Sequence, residues 1–180
     1  SGGITQFSKY FEKYKPDYLF VFADKFEMLC PVLSSIQFKI PICHVEGGDL
    51  TEGALDDNIR HAITKFSHLH FVSTNEYKKR IKQLGEEPWR ITVSGSPSLD
   101  LIHNLKFLDK SVLSKKFNFN FFKEFILCTF HPVTNDLNNT DKYMESLINS
   151  LKKQNRKNII FTSPNADLTS TQIKKKIIKF

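Results

Sequence analysis

Apolar positions recur along this chain with two different periods, and the switches between them mark out its elements. Ile4, Phe7, Phe11 and Tyr14 stand at helical spacing, which predicts a helix over 4–14 with one buried stripe. Pro16 stops it, and the short continuous run 18–23 (YLFVFA) has the pattern of a strand buried on both faces in a parallel sheet. Asp24 follows at once, then a helix over 25–38 and a second buried strand over 41–45 (PICHV) that ends at Glu46. Residues 56–66 carry Ile59, Ala62, Ile63 and Phe66 on one helical face. A strand over 68–73, a helix over 76–84 closed by Gly85, a strand over 90–93 and a helix near 99–105 complete the first series. Strict alternation of helix and strand with short loops predicts an α/β fold on a doubly wound parallel sheet with right-handed crossovers.

Around 106–122 the pattern weakens into Lys, Asn and Phe with few small turn residues. This places a boundary there, with residues 1–108 in one domain, 109–122 as linker and 123–180 opening a second. The second stretch predicts a strand over 125–130 (FILCTF), the turn HPVTND, a helix over 141–152, a strand over 158–162, the loop SPNADLT and a helix over 171–179. Two strands are too few for an independent sheet. The chain therefore reads as truncated, with further strands of the second domain, and of the first, expected beyond it.

Composition narrows the class. With 40% hydrophobic and 25% charged residues, the 180-residue chain has the make-up of a soluble globular protein large enough for a proper core. No apolar run approaches the ~20 residues that span a bilayer, and no signal-peptide pattern opens the sequence. Cys30, Cys43 and Cys128 are odd in number, lie in apolar segments and lack metal spacing, so they read as small buried hydrophobes in a reducing cytoplasm. The net charge of +7 gathers late, at Lys152, Lys153, Arg156, Lys157, Lys174, Lys175, Lys176 and Lys179. Nucleic-acid binding would require a basic face with aromatic platforms or a recognisable module. Lysine on solvated helix faces is the plainer reading, and no nucleic-acid partner is expected.

Against this basic background, residues 44–61 (HVEGGDLTEGALDDNIRH) concentrate acid: Glu46, Asp49, Glu52, Asp56 and Asp57. Ligands of open parallel sheets bind beyond the carboxyl ends of the strands, and Asp24 and Glu46 each follow such an end. On adjacent strands about 4.8 Å apart, they would face one crevice, each raising the other's pKa, so that one carboxyl could serve as acid and its partner as base. The alternative is a helix-capping Asp24 and a solvated Glu46. Gly47 and Gly48 permit close backbone approach or positive φ, although GG lacks the spacing of a dinucleotide fingerprint. Asp56 with Arg60, and Asp57 with His61, are helix-face pairs at i,i+4, either site groups or surface ion pairs. His131 stands after FILCTF, where an imidazole could hold a phosphate or shuttle a proton, or merely decorate a turn; Thr134 is placed to cap the next helical turn. His68 and His70 form an HxH pair with no third ligand nearby, so no metal site is expected. Ser94, Ser96 and Ser98 flank Gly95 and Pro97 without making a nucleophile elbow. The sequon Asn138-Asn139-Thr140 is without meaning for a cytoplasmic protein.

The motifs AD (Ala23-Asp24) after a strand, HVEGG, TEGALDDNIRH, HLHFVST, VSGSPSLD, TFHPVT and SPNAD recur in an order that resembles the UDP-N-acetylglucosamine 2-epimerase family, over about residues 15–173. The hydrolysing branch, which releases an N-acetylmannosamine-type sugar for sialic- or legionaminic-acid synthesis, is the closest look. The resemblance implies a GT-B-like fold of two Rossmann-like domains with the sugar nucleotide between them. It implies an anti elimination of UDP across C1–C2 to a glycal, then addition of water. By motif it makes Asp24, Glu46, Asp56 and His131 catalytic candidates, with Lys25, Gly47, Gly48, Arg60, His61 and Thr134 as substrate contacts, and His131 near the phosphates.

No cofactor and no metal are implied, the partner is a UDP-sugar, and a homodimer is one assembly left open. Asp56 stands where the non-hydrolysing enzymes usually carry glutamate, and the DD…RH pattern with HPVT argues for the hydrolysing branch. A non-hydrolysing epimerase and a noncatalytic nucleotide-sugar-binding protein are the alternatives. The family's usual glycine before the aspartate is Ala23 here, its usual arginine after it is Lys25, and its glycines after NAD are Thr169 and Ser170. The family's opening strand and its uridine- and diphosphate-binding segments are expected outside 1–180, so the chain resembles roughly the middle half of the enzyme.

Overall fold

A computed structural model describes residues 2–22, 24–154, 158–165 and 169–180. Ala23, Arg156, Lys157 and residues 166–168, which enter the sequence reading, lie outside the described residues. The chain divides into two compact units, Ser1–Leu105 and Lys106–Phe180.

In the first unit, helix α1 (Gly2–Tyr14) precedes strand β1 (Leu19–Phe22), and α2 (Leu29–Gln37) leads to β2 (Ile42–Val45). Helix α3 (Asp56–Phe66), β3 (Leu69–Val72), α4 (Asn75–Gln83), β4 (Ile91–Val93) and α5 (Pro97–Asn104) follow. The four strands pair in parallel in the order β1-β2-β3-β4, with Val21 opposite His44, His44 opposite His70 and His70 opposite Ile91. All strands therefore point their carboxyl ends to one edge, and the loops that follow them gather there.

One face of this sheet carries the core. Val21 and Ile42 pack with Val32 of α2 and Ile63 of α3, and Val72 and Ile91 pack with Ile81 of α4. Each such buried side chain contributes about 1.5–3 kcal/mol. The other face is thinly covered, since Phe20 is 65% exposed and lies over the ring of Phe71 at 6.1 Å. The stripe expected on α1 is buried only at Phe11; Tyr14 is exposed and pairs with Tyr10 at 4.4 Å instead. The helix expected over 25–38 begins as a 3₁₀ turn, Phe26–Met28, before α2 proper. Helix α4 opens on Thr74, whose hydroxyl accepts from the Tyr77 amide at 3.2 Å, a standard N-cap.

The second unit opens with helix α6 (Lys110–Phe117), capped by the Asp109 carboxylate on the Ser111 amide at 2.9 Å. This helix occupies the stretch expected to be linker. The phenylalanines that blurred the sequence pattern pack edge to face, Phe119 against Phe121 at 5.0 Å and against Phe125 at 5.9 Å. Strands β5 (Ile126–Cys128) and β6 (Ile159–Phe161) pair in parallel, and α7 (Thr140–Lys152) and α8 (Ser170–Lys179) bury Met144, Leu151 and Ile173. Lys176 of α8 is held by Glu145 at 2.7 Å and Asp141 at 3.4 Å, both on α7.

Both units are α/β with parallel sheets. Among the described residues no helix is long and apolar enough to cross a membrane, and no cluster of His, Cys, Asp and Glu is arranged to hold a metal ion.

Candidate active site

The carboxyl edge of the first sheet opens into a cleft of about 280 Å³ lined by Asp24, Glu46, Asp49, Arg60, Ser73, Thr74, Tyr77 and Ser96. These residues follow all four strands. Asp24 comes after β1, Glu46 and Asp49 after β2, Ser73 and Thr74 after β3, and Ser96 after β4. Arg60 and Tyr77 reach in from α3 and α4.

Arg60 anchors one wall. It is 4% exposed, and its guanidinium forms an ion pair with the Asp24 carboxylate. It also donates to Asp57 at 2.5 Å and to the Asp49 carbonyl at 3.0 Å. Asp57 in turn accepts from the Thr51 amide at 2.9 Å, so one carboxylate ties the loop after β2 to the first turn of α3. A buried guanidinium is tolerated only when its charge and donors are answered in this way.

Arg60 thus pairs with Asp57, three residues back, rather than with Asp56 at i,i+4 as the helix spacing suggested. Asp56 is half-buried at the start of α3 and does not line the cleft. Asp57 is engaged by Arg60 and not by His61, whose Nδ1 is buried without a partner among the described residues.

Glu46 forms the other wall. Its φ is +62°, in the left-handed region that costs a side-chain-bearing residue free energy and that clusters at functional sites. Its amide still donates to the Phe71 carbonyl at 2.8 Å, so the backbone turns sharply while remaining tied to β3. Its Oε1 accepts from the hydroxyl of Ser96 and, at 3.4 Å, from that of Ser73. The two carboxylates do share a crevice, on adjacent strands. Each has its own partners: Arg60 for Asp24, and serine hydroxyls for Glu46.

The glycines after Glu46 are required by packing. A Cβ at Gly47 would lie 2.8 Å from His44 Nδ1 and 3.1 Å from Thr64 Oγ1. Gly48 has φ +80°, and a Cβ there would lie 2.7 Å from the Tyr77 carbonyl. Its own carbonyl accepts from Arg80, and the loop is thereby pressed onto α4. Behind it, fully buried His44 contacts Thr64 Oγ1 at 3.1 Å, and that hydroxyl donates to the Arg60 carbonyl at 3.0 Å. Tyr77 donates to the Asp49 carboxylate, and that hydrogen bond holds its phenol above the usual tyrosine range.

Lys25 is exposed beside Asp24 and does not line the cleft. In the second unit His131 is exposed just beyond β5, and Thr134 begins a 3₁₀ turn, Thr134–Asn139, as its first residue rather than its cap. His68 and His70 make no metal pair. His68 Nδ1 accepts the Ile42 amide at 3.2 Å, while buried His70 faces Glu86 at 3.4 Å. The three cysteines are free, and burial pushes the Cys43 and Cys128 thiols up, away from reactivity. Sequence reasoning did not assign Ser73, Tyr77 or Ser96 to the site. Ser96 carried a detectable signal, a serine three residues past a strand end and immediately before a helix-opening proline.

Comparison with known proteins places this geometry. A family profile described as UDP-N-acetylglucosamine 2-epimerase matches residues 1–180. A GDP/UDP-N,N'-diacetylbacillosamine 2-epimerase (hydrolyzing) of Campylobacter jejuni is 44% identical over 91% of this chain and 43% of its own length. A UDP-N,N'-diacetylbacillosamine 2-epimerase (hydrolyzing) of Legionella pneumophila is 33% identical over the same shares. The chain spans less than half the length of these relatives. Among solved structures, a complex of S. aureus MnaA with UDP superposes with a TM-score of 0.77 at 20% identity, covering 98% of this chain and 48% of that one. The UDP-GlcNAc 2-epimerase of Neisseria meningitidis bound to UDP-GlcNAc gives 0.75 at 19%, covering 98% and 49%. These likenesses show the fold, that of GT-B epimerases.

Proposed function

The chain belongs to the UDP-N-acetylglucosamine 2-epimerase family, and from that premise we propose that the whole protein is a hydrolysing 2-epimerase of a UDP-linked N-acetylated amino sugar. The observation that carries this reading is the cleft itself, where Asp24 and Glu46 stand beyond neighbouring strand ends and a buried Arg60 holds Asp24. The branch and the sugar follow the relatives at 44% and 33% identity, whose substrates are named as N,N'-diacetylbacillosamine nucleotides. The closest substrate for this protein is accordingly UDP-N,N'-diacetylbacillosamine.

The reaction proceeds in two stages. A carboxylate takes the proton from C2, that C–H pair becomes the C1–C2 double bond, and the C1–O bond breaks so that UDP leaves with its electron pair. Water then adds to the glycal, its oxygen to C1 and a proton to C2 from the opposite face, which frees the 2-epimerised sugar. We assign the proton transfers to Glu46 and Asp24, with Asp56 as a third carboxyl inherited from the resemblance. Arg60 positions Asp24. His131, exposed beyond β5, suits the charge that develops on the departing diphosphate; Lys25, His61 and Thr134 are further substrate contacts. A cytoplasmic setting and a homodimer complete the proposal.

The test is turnover in deuterated water followed by NMR. Free UDP together with a free sugar carrying deuterium at C2 supports the reading. An intact epimeric UDP-sugar would assign the non-hydrolysing reaction instead, and binding of the nucleotide sugar without turnover would reduce the protein to a binding module.

A further inference from the structure

Ser96 occupies the N-cap position of α5, directly before Pro97, where a serine ordinarily turns its hydroxyl onto the amides of the first helical turn. It makes no such bond. Its hydroxyl instead donates to Oε1 of Glu46, a residue fifty positions earlier in the chain, and Ser73 approaches the same oxygen at 3.4 Å. Three strand ends meet at this point. Glu46 comes from β2, Ser73 from β3 and Ser96 from β4, and the Ser94 amide fastens the last of these to the Val72 carbonyl at 2.9 Å. No described group hydrogen-bonds Oε2 of Glu46, which lines the cleft. A helix cap left unused for a bond to a carboxylate with strained backbone is an arrangement that local structure alone does not call for.

We infer that Ser96, assisted by Ser73, is a positioning residue that fixes the Glu46 carboxylate through Oε1 and presents Oε2 to the substrate. This rests on the assignment of Glu46 to proton transfer at the sugar. The hydroxyl sets the direction of Oε2, and so how often the carboxylate stands in line with the C2 proton. It contributes to the chemical step and little to binding of the ground state.

Two measurements test it. In the whole enzyme, Ser96→Ala should lower kcat on the order of tenfold to a hundredfold while KM stays within about twofold. Ser96→Thr, which keeps the hydroxyl, should restore most of that loss. A wild-type kcat in Ser96→Ala overturns the inference. So does a loss that Ser96→Thr fails to rescue while thermal unfolding is unchanged. The second measurement needs no activity: a double-mutant cycle of Ser96→Ala and Glu46→Ala, read by thermal unfolding, should be non-additive, with the pair losing less than the sum. Additivity there overturns the contact and with it the inference. If the wild-type enzyme releases no UDP, the functional reading falls, and the cycle still decides whether Ser96 holds Glu46.

Discussion

The two edges of the first sheet both carry buried or half-buried charge, and they use it differently. At the amino edge a cavity of about 460 Å³ is lined by Lys65, Ser67, His68, Glu86, Glu87 and Arg90, larger than the 280 Å³ cleft at the carboxyl edge. Several of its polar groups close on one another. Lys65 donates to Glu86 at 2.5 Å and to the Leu84 carbonyl at 3.0 Å, Glu86 faces His70, and His68 accepts the Ile42 amide. At the carboxyl edge the partners hold a side chain and leave part of it open, as Arg60 does with Asp24 and Ser96 with Glu46. Cavity size alone would point to the amino edge. The two edges differ in what their contacts hold. At the amino edge Lys65, Glu86 and His70 are tied to one another, although His70 Nδ1 keeps no hydrogen-bond partner among the described residues. At the carboxyl edge the contacts fix two carboxylates that follow neighbouring strand ends.

That distinction can be broken at either edge. The largest effect is expected from Glu46→Gln, which should lower kcat by at least about a hundredfold with little change in unfolding temperature, checked by UDP release and calorimetry. Near-normal turnover would make the carboxyl edge as structural as the other. Arg60→Met should reduce both turnover and stability, the latter by about 3 kcal/mol, because Asp24 and Asp57 would be left without their cation; a denaturant titration measures it.

At the amino edge, Glu86→Gln should cost about 1–2 kcal/mol in the same titration and leave kcat untouched, since Glu86 lies at the opposite edge of the sheet from the proposed site. The smallest effect is a pH dependence. Burial lowers the His70 pKa, a shift that Glu86 only partly offsets. Burial pushes the Glu86 carboxyl up, but Lys65 and His70 outweigh it and hold that pKa below its usual range. Both groups bind protons more readily unfolded than folded, so stability should fall as pH drops below about 6.5 through His70 and below about 4.5 through Glu86. His70→Gln should flatten the upper part of that slope in thermal melts across pH 5–8. An unchanged slope would remove His70 from the account.

Most of the fold was legible because it depends on runs and periods. The strands after Pro16 and Pro41 were found within a residue or two, and α3 at Asp56–Phe66 in full. The stretch before β5 was not, because α6 carries no buried face and the rings of Phe119, Phe121 and Phe125 pack by tertiary contact, which no period announces. In the site, Asp24, Glu46 and Arg60 were legible as charges at strand ends and on a helix. The face of α3 that carries Arg60 and Thr64 was not. Hydrophobic periodicity favoured Ile59, Ala62, Ile63 and Phe66; Ile63 is buried as that pattern predicts, but the other two buried residues are Arg60 and Thr64, held by Asp24 and His44. Phe66 is 38% exposed. The partners of a charge depend on loops brought together from fifty residues apart, as Ser96 and Glu46 show, and spacing along one element cannot supply that.

The left-handed backbone at Glu46 also constrains how this site can decay. Glycine, asparagine and aspartate accept that conformation at least cost, whereas β-branched residues do so worst. A descendant released from selection for turnover would gain stability by drifting to Gly or Asn at position 46, and would lose it by drifting to Val or Ile. On the proposed role of Glu46 in proton transfer, a glycine or asparagine between the histidine-valine pair and the two glycines would mark, among paralogues that keep the scaffold, a copy retired from turnover, readable from sequence before any assay.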